Sequence, residues 1–113
     1  MSLRHHLRRA PVVSADEAVR LVEAGALVVD VRGEREFRRQ HVPGSVHVPL
    51  AELEERAVDL PDDRVLVTSC TGGLLSRGAA NLLVELGFDA VSLGRGLVEW
   101  RAAGLPLVGD RSG

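Results

Sequence analysis

The segment Val65-Leu66-Val67-Thr68-Ser69-Cys70-Thr71-Gly72-Gly73-Leu74-Leu75-Ser76-Arg77 decides the fold of this chain. Its apolar first half is typical of a β-strand, the glycines predict a loop, and the residues from Gly78 onward predict a helix. The only cysteine of the 113 residues opens that loop. A thiol in this place faces the amino end of a helix, where free backbone N–H groups and the helix dipole stabilise anions. A lone cysteine is often only a small buried side chain, but its place at this strand-to-helix switch indicates a nucleophile in an anion-binding loop.

The composition is that of an ordinary globular domain, with 45% hydrophobic and 27% charged residues. A net charge of −2 gives no basic face and argues against a nucleic-acid partner. No apolar run approaches the length of about 20 residues that spans a bilayer, so no membrane association is expected. The single cysteine excludes an internal disulfide and a cysteine-rich metal site, and we expect no metal and no cofactor. A reducing cytoplasm is the expected location, because it keeps the thiol usable.

One domain is predicted over residues 11–108, between a flexible arm at residues 1–10 and a loose tail at residues 109–113. Strand and helix alternate along it. The first predicted elements are an edge strand at 11–13, a helix that is capped by Ser14 and Glu17 and ends at Gly25, and a buried strand at 26–29. They are followed by one or two helical turns at 33–40 around Phe37, a turn at 41–44, a short strand at 45–49 and a helix at 50–58. The last predicted elements are the strand and helix around Cys70, a strand at 90–93, a flexible turn at 94–96 and a short helix at 97–103.

This alternation predicts an α/β sandwich with a largely parallel sheet. In such sheets the carboxyl ends of the strands carry the functional groups. We therefore expect the Cys70 loop, Asp30-Val31-Arg32 and Gly94-Arg95-Gly96 to share one edge. Asp30 and Arg32 either line the site or form a structural pair beside it. His41 and His47 lack a second ligand at metal spacing, and a structural role is expected for both.

From Ser14 to Pro106 the chain resembles the rhodanese-like domains. The resemblance is carried by the Cys70 loop together with the following motifs: Asp30-Val31-Arg32 with Glu36-Phe37, His41-Val42-Pro43-Gly44-Ser45 running to Pro49, Gly87-Phe88, and Gly94-Arg95-Gly96-Leu97-Val98-Glu99-Trp100-Arg101-Ala102-Ala103-Gly104-Leu105-Pro106. It implies a three-layer α/β sandwich around a five-stranded, mostly parallel sheet flanked by helices. It also implies a sulfurtransferase that holds a sulfane sulfur as a persulfide on Cys70.

The donor implied by this resemblance is thiosulfate or a protein persulfide, and the acceptor is a thiol or cyanide. A persulfide is an anion, and the loop would offer it converging backbone N–H groups through charge-assisted hydrogen bonds. The residues expected to form this cradle are Thr71, Gly72, Gly73, Leu74, Leu75 and Ser76.

The loop departs from the family pattern at Leu75, where relatives usually carry arginine, serine or threonine. With Leu74 it makes the rim apolar, which disfavours a small dianion such as thiosulfate and suits a protein or apolar thiol. Arg77 either folds back over the mouth of the site or points away into solvent. Arg95 stands where the family usually has glycine and is a second candidate for a positive charge. The alternatives to a thiosulfate-using enzyme are a non-catalytic binding module and a protein-partnered sulfur relay. A loop-cysteine phosphatase is disfavoured, because that chemistry needs a longer loop that closes on an arginine.

Overall fold

The computed structural model describes residues 9–109. The sheet has five strands: β1 (Val12–Val13), β2 (Leu27–Asp30), β3 (Val46–His47), β4 (Leu66–Ser69) and β5 (Ala90–Leu93). Their spatial order is β1-β5-β4-β2-β3, and all four neighbouring pairs run parallel. The prediction of a five-stranded sheet is confirmed. The predicted arm at residues 1–10 and the tail at 109–113 lie largely outside the described residues.

The helices are α1 (Ala15–Glu23), α2 (Glu34–Arg39), α3 (Leu53–Arg56), α4 (Leu74–Glu85) and α5 (Gly96–Ala102). Helix α1 starts as predicted, because the Ser14 hydroxyl accepts a hydrogen bond from the Glu17 N–H at 3.2 Å. The single helix predicted over residues 50–58 is wrong in detail. That stretch forms a 3₁₀ turn at Leu50–Glu52, the short α3, and a second 3₁₀ turn at Ala57–Asp59. No helix in residues 9–109 is long and apolar enough to cross a membrane.

The sheet divides the core into two apolar layers, because alternate strand residues point to opposite faces. On one face Val29 and Leu66 pack with Leu53 of α3 and Leu83 of α4. The second layer, on the other face, is formed by side chains that include Val28, Val67, Leu97 and Trp100. The result is three layers, with the sheet between two sets of helices, and Cys70 belongs to the α4 side.

Residues 103–108, which follow α5, are held to the rest of the domain by hydrogen bonds. The Trp100 indole N–H donates to the Pro106 carbonyl at 2.9 Å. Val108 and His41 then exchange two backbone hydrogen bonds, at 2.8 and 2.9 Å. A hydrophobicity pattern does not reveal these bonds, because they depend on backbone groups and on one indole proton.

Candidate active site

Cys70 follows the last residue of β4 and is 2% exposed. Its Sγ accepts hydrogen bonds from the Gly73 N–H at 3.1 Å and from the Ser76 N–H at 3.4 Å. Such sulfur contacts are longer than amide–oxygen bonds, and their two donors approach from the loop and from the first helical turn. Within residues 9–109, these two amides are the members of the predicted cradle that reach the sulfur. Two of the six residues expected to form the cradle, Gly73 and Ser76, thus donate their backbone N–H groups to Cys70.

The loop is shorter than the sequence suggested, because α4 begins at Leu74 and not at Gly78. Leu74, Leu75 and Ser76 form the first helical turn, and only Thr71, Gly72 and Gly73 connect it to Cys70. Gly73 causes the early start: its left-handed backbone, with a φ of 93°, redirects the chain. A side chain at Gly73 would also lie 2.6 Å from the backbone nitrogen of Arg95, so the site demands glycine on two counts.

The start of α5 holds the other side of the Cys70 loop. The Leu97 N–H donates to the Cys70 carbonyl at 2.9 Å, and the Val98 N–H donates to the Thr71 carbonyl at 3.1 Å. Gly96 makes this approach possible, since a Cβ there would overlap the Cys70 carbonyl oxygen. The turn predicted to be flexible is therefore fastened by two hydrogen bonds. Carboxyl ends of β4 and β5 meet here, as the parallel sheet requires.

A chain of buried hydroxyl groups leads away from the sulfur. The Cys70 thiol lies 3.6 Å from Ser76 Oγ, which donates to the Gly73 carbonyl at 3.2 Å. Ser92 Oγ on β5 donates to Ser76 Oγ at 3.0 Å, and both serines are fully buried. The sequence analysis did not single out Ser92. Its signal is a hydroxyl in the middle of an otherwise apolar strand, Ala90–Leu93.

Asp30 and Arg32 form a buried ion pair beside the loop. Arg32 Nη2 lies 2.8 Å from Asp30 Oδ2, and the two side chains are 7% and 0% exposed, respectively. Asp30 Oδ1 also accepts from the Arg32 backbone N–H at 3.0 Å, while the Arg32 guanidinium donates to the Gln40 carbonyl. With its donors used in this way, Arg32 is placed to support the end of β2. Of the two roles left open by the sequence, the structure favours the structural pair.

An open pocket of about 220 Å³ lies over the loop, lined by Gly72, Gly73, Leu74, Arg77 and Arg95. Arg77 is exposed and is one of the residues that line this pocket. Arg95 has a left-handed backbone, with a φ of 58°, and is the one non-glycine residue among residues 9–109 with positive φ. In that same part of the chain, neither arginine side chain has a carboxylate partner within 4.0 Å, whereas three other arginines do.

Apolar side chains make up the remaining rim. Leu74 is 81% exposed, Leu75 is 48% exposed, and Val98 of α5 is 55% exposed. Surface leucines are common singly, but Leu74 and Leu75 adjoin the loop, and Val98 is hydrogen-bonded to it through Thr71. The mouth of the site therefore combines two cations with an apolar edge.

Comparison with known proteins gives consistent matches over most of the chain. The family model described as rhodanese-like domain matches residues 14–103. An HTH-type transcriptional regulator of Mycobacterium tuberculosis is 36% identical over 98 residues, which cover 84% of this chain but 43% of the regulator. The thiosulfate sulfurtransferase GlpE of Pseudomonas savastanoi is 36% identical over 91 residues, covering 80% of this chain and 86% of that protein. The crystal structure of a rhodanese-related protein from Thermoplasma volcanium superimposes with a TM-score of 0.83 at 27% identity, covering 88% of this chain and 99% of that one.

Proposed function

We propose, since this chain belongs to the family of rhodanese-like domains, that it is a sulfurtransferase in which Cys70 carries the transferred sulfur. The observation that carries the proposal is the pair of hydrogen bonds that Cys70 Sγ accepts from the Gly73 and Ser76 N–H groups, at 3.1 and 3.4 Å, in a loop whose Gly72 and Gly73 line an open pocket. Both donors favour a sulfur anion, because hydrogen bonds to a charged acceptor are about twice as strong as bonds to a neutral one.

The proposed reaction has two half-reactions. In the first, the Cys70 thiolate attacks the outer sulfur of thiosulfate; a new S–S bond forms, the old one breaks, and its electron pair leaves with sulfite. In the second, cyanide or an acceptor thiolate attacks the outer sulfur of the persulfide, and the Cys70 thiolate leaves. Charge balances in both steps, and no oxidant is needed. The thiol proton is lost to solvent before the first attack.

A protein-partnered sulfur relay is the second candidate, favoured by the apolar rim. Leu74, Leu75 and Val98 offer exposed apolar contacts beside the loop, and Leu75 replaces the polar residue usual in the family. Under this alternative the chain accepts sulfur from a protein persulfide and delivers it to a protein thiol. A non-catalytic binding module would use the same rim without taking up sulfur.

Intact mass of the wild-type chain after incubation with thiosulfate tests the proposal. We expect a gain of one sulfur, about 32 Da, that is lost when cyanide is added and thiocyanate forms. No gain with thiosulfate, but a gain with a cysteine desulfurase and cysteine, would favour the relay. No gain with either donor, or hydrolysis of an aryl phosphate by the same chain, would contradict the sulfurtransferase assignment.

A further inference from the structure

We infer that Arg77 and Arg95 together form a binding site for the oxyanion end of a small sulfur donor, a deepening that rests on the proposed function. Both residues line the pocket over the Cys70 loop, and they belong to different elements. Arg77 comes from the first turns of α4, and Arg95 from the turn before α5. Because Leu75 is uncharged where relatives usually carry a polar residue, these two arginines are the cations that line the pocket over the loop.

The backbone of Arg95 supports a functional role. A left-handed conformation is unfavourable for a non-glycine residue, and such strain is retained mainly where surrounding structure and function require it. The hydrogen bonds from Leu97 and Val98 to the Cys70 loop fix this turn and hold the Arg95 backbone against Gly73. Glycine would fit the turn without strain, yet the chain carries an arginine whose side chain makes no ion pair within residues 9–109.

The chemistry of the donor explains why two cations are useful. A thiolate and thiosulfate carry three negative charges together, and they must approach to bonding distance. Two guanidinium groups at the mouth offset most of that repulsion and hold the sulfonate oxygens, for which planar guanidinium donors are well suited. Sulfite keeps the same contacts as it leaves, so the site serves the leaving group as well.

Two alkylating agents that differ in charge test this site directly. Iodoacetate and iodoacetamide react with the same sulfur in the same way, but only iodoacetate is an anion. We expect the rate of Cys70 alkylation by iodoacetate, divided by the rate with iodoacetamide, to fall about threefold in Arg77→Gln and in Arg95→Gly. The same ratio should fall about tenfold in the double variant. Because Arg95→Gly removes the strained backbone as well as the charge, the variant is expected to fold. The effect should weaken in about 1 M salt, where the screening length is near 3 Å.

Arg20→Gln is the matched control, because Arg20 is an exposed arginine in the last turn of α1, which leads to the amino end of β2 and away from the site. The KM for thiosulfate should rise in the site variants but not in this control. An unchanged alkylation ratio in the double variant would overturn the two-arginine site. That result would leave the proposed function standing, whereas a lowered ratio in a chain that takes up no sulfur would refute the function alone.

A second inference comes from the buried hydroxyl chain: we propose that Ser92 is a positioning residue that acts on Cys70 through Ser76. Ser76 has one hydroxyl proton, which it donates to the Gly73 carbonyl while the Cys70 thiol and Ser92 both donate to its oxygen. When the thiol proton leaves to solvent, the sulfur becomes an acceptor only. The Ser76 proton can then turn to the sulfur, while Ser92 still donates to the Ser76 oxygen and keeps that hydroxyl in place.

Removal of the Ser92 hydroxyl should slow the chemistry of Cys70 without loss of the fold. We expect Ser92→Ala to lower the rate of iodoacetamide alkylation at neutral pH about three- to tenfold, the usual size of one hydrogen bond between neutral groups. Ser92→Thr and Ser92→Val have side chains of the same shape, so they disturb packing equally, but only threonine keeps the hydroxyl. The alkylation rate of Ser92→Thr should therefore exceed that of Ser92→Val. Ser69→Ala is the control, because Ser69 is equally buried on the other face and its Oγ has no hydrogen-bond partner in residues 9–109. Equal rates for threonine and valine, or an unchanged rate in Ser92→Ala, would overturn the inference.

Discussion

Cys70→Ser is expected to abolish sulfur uptake and to lower thiocyanate formation from thiosulfate and cyanide by roughly three orders of magnitude or more, as loss of a covalent nucleophile does in other enzymes. A serine oxygen in this place keeps the hydrogen bonds from Gly73 and Ser76, but its hydroxyl is far less acidic than a thiol and cannot store sulfur as a persulfide. The measurement is intact mass after incubation with thiosulfate, together with the steady-state rate of thiocyanate formation.

The fold of Cys70→Ser should survive, because the substitution preserves the size of the side chain and its polar neighbours can bond the hydroxyl. Thermal unfolding of the variant, followed by circular dichroism, separates loss of chemistry from loss of structure. An added sulfur that appears in Cys70→Ser, or a rate close to wild type, would show that the transferred sulfur does not reside on Cys70.

Asp30→Asn is expected to lower the free energy of unfolding by about 3–5 kcal/mol, the usual cost of leaving one member of a buried ion pair alone. The Arg32 guanidinium is 7% exposed and would keep its charge with no carboxylate to balance it. Equilibrium unfolding in urea measures the change, and a loss of this size is a large part of the total stability of a domain.

Two further sets of variants serve as controls for Asp30→Asn. The exposed pair Glu34–Arg38 has side chains 71% and 66% exposed, respectively, and Glu34→Gln should change stability by less than about 1 kcal/mol. Replacement of both buried charges, in Asp30→Asn with Arg32→Met, should cost less than the sum of the two single changes, since no unpaired charge remains. A single Asp30→Asn variant as stable as wild type would show that Arg32 finds another partner or reaches solvent.

The fold was predictable because its signals are local and repeated. Continuous apolar runs such as Leu66–Val67 mark strands covered on both faces, and Ser14 and Gly25 mark the ends of a helix. The order of these signals along the chain then restricts the topology to a parallel sheet. The failures occurred where tertiary contacts decide, as in residues 50–58, whose helical pattern is divided into three short turns.

The candidate site was predictable only in its centre. Cys70 was visible from its position between a strand pattern and two glycines. Arg95 was noted because it stands where the family usually has glycine, and Arg77 because it could replace the charge missing at Leu75. The early start of α4 was missed because it depends on the left-handed backbone of Gly73, and spacing alone does not show which glycine of a pair adopts it. Ser92 was missed because it lies 22 residues after Cys70 and joins the site only through strand pairing.

The hydrogen bonds from the start of α5 to the Cys70 loop also determine when the site can form during protein synthesis. The loop is translated well before Gly96, Leu97 and Val98, whose backbone groups hold its carbonyls. A nascent chain that has just passed Cys70 therefore carries the thiol without the strand β5 or the helix start that confine it. The ribosome must therefore extend the polypeptide beyond Val98, and expose that segment outside its exit tunnel, before these hydrogen bonds to the Cys70 loop can form.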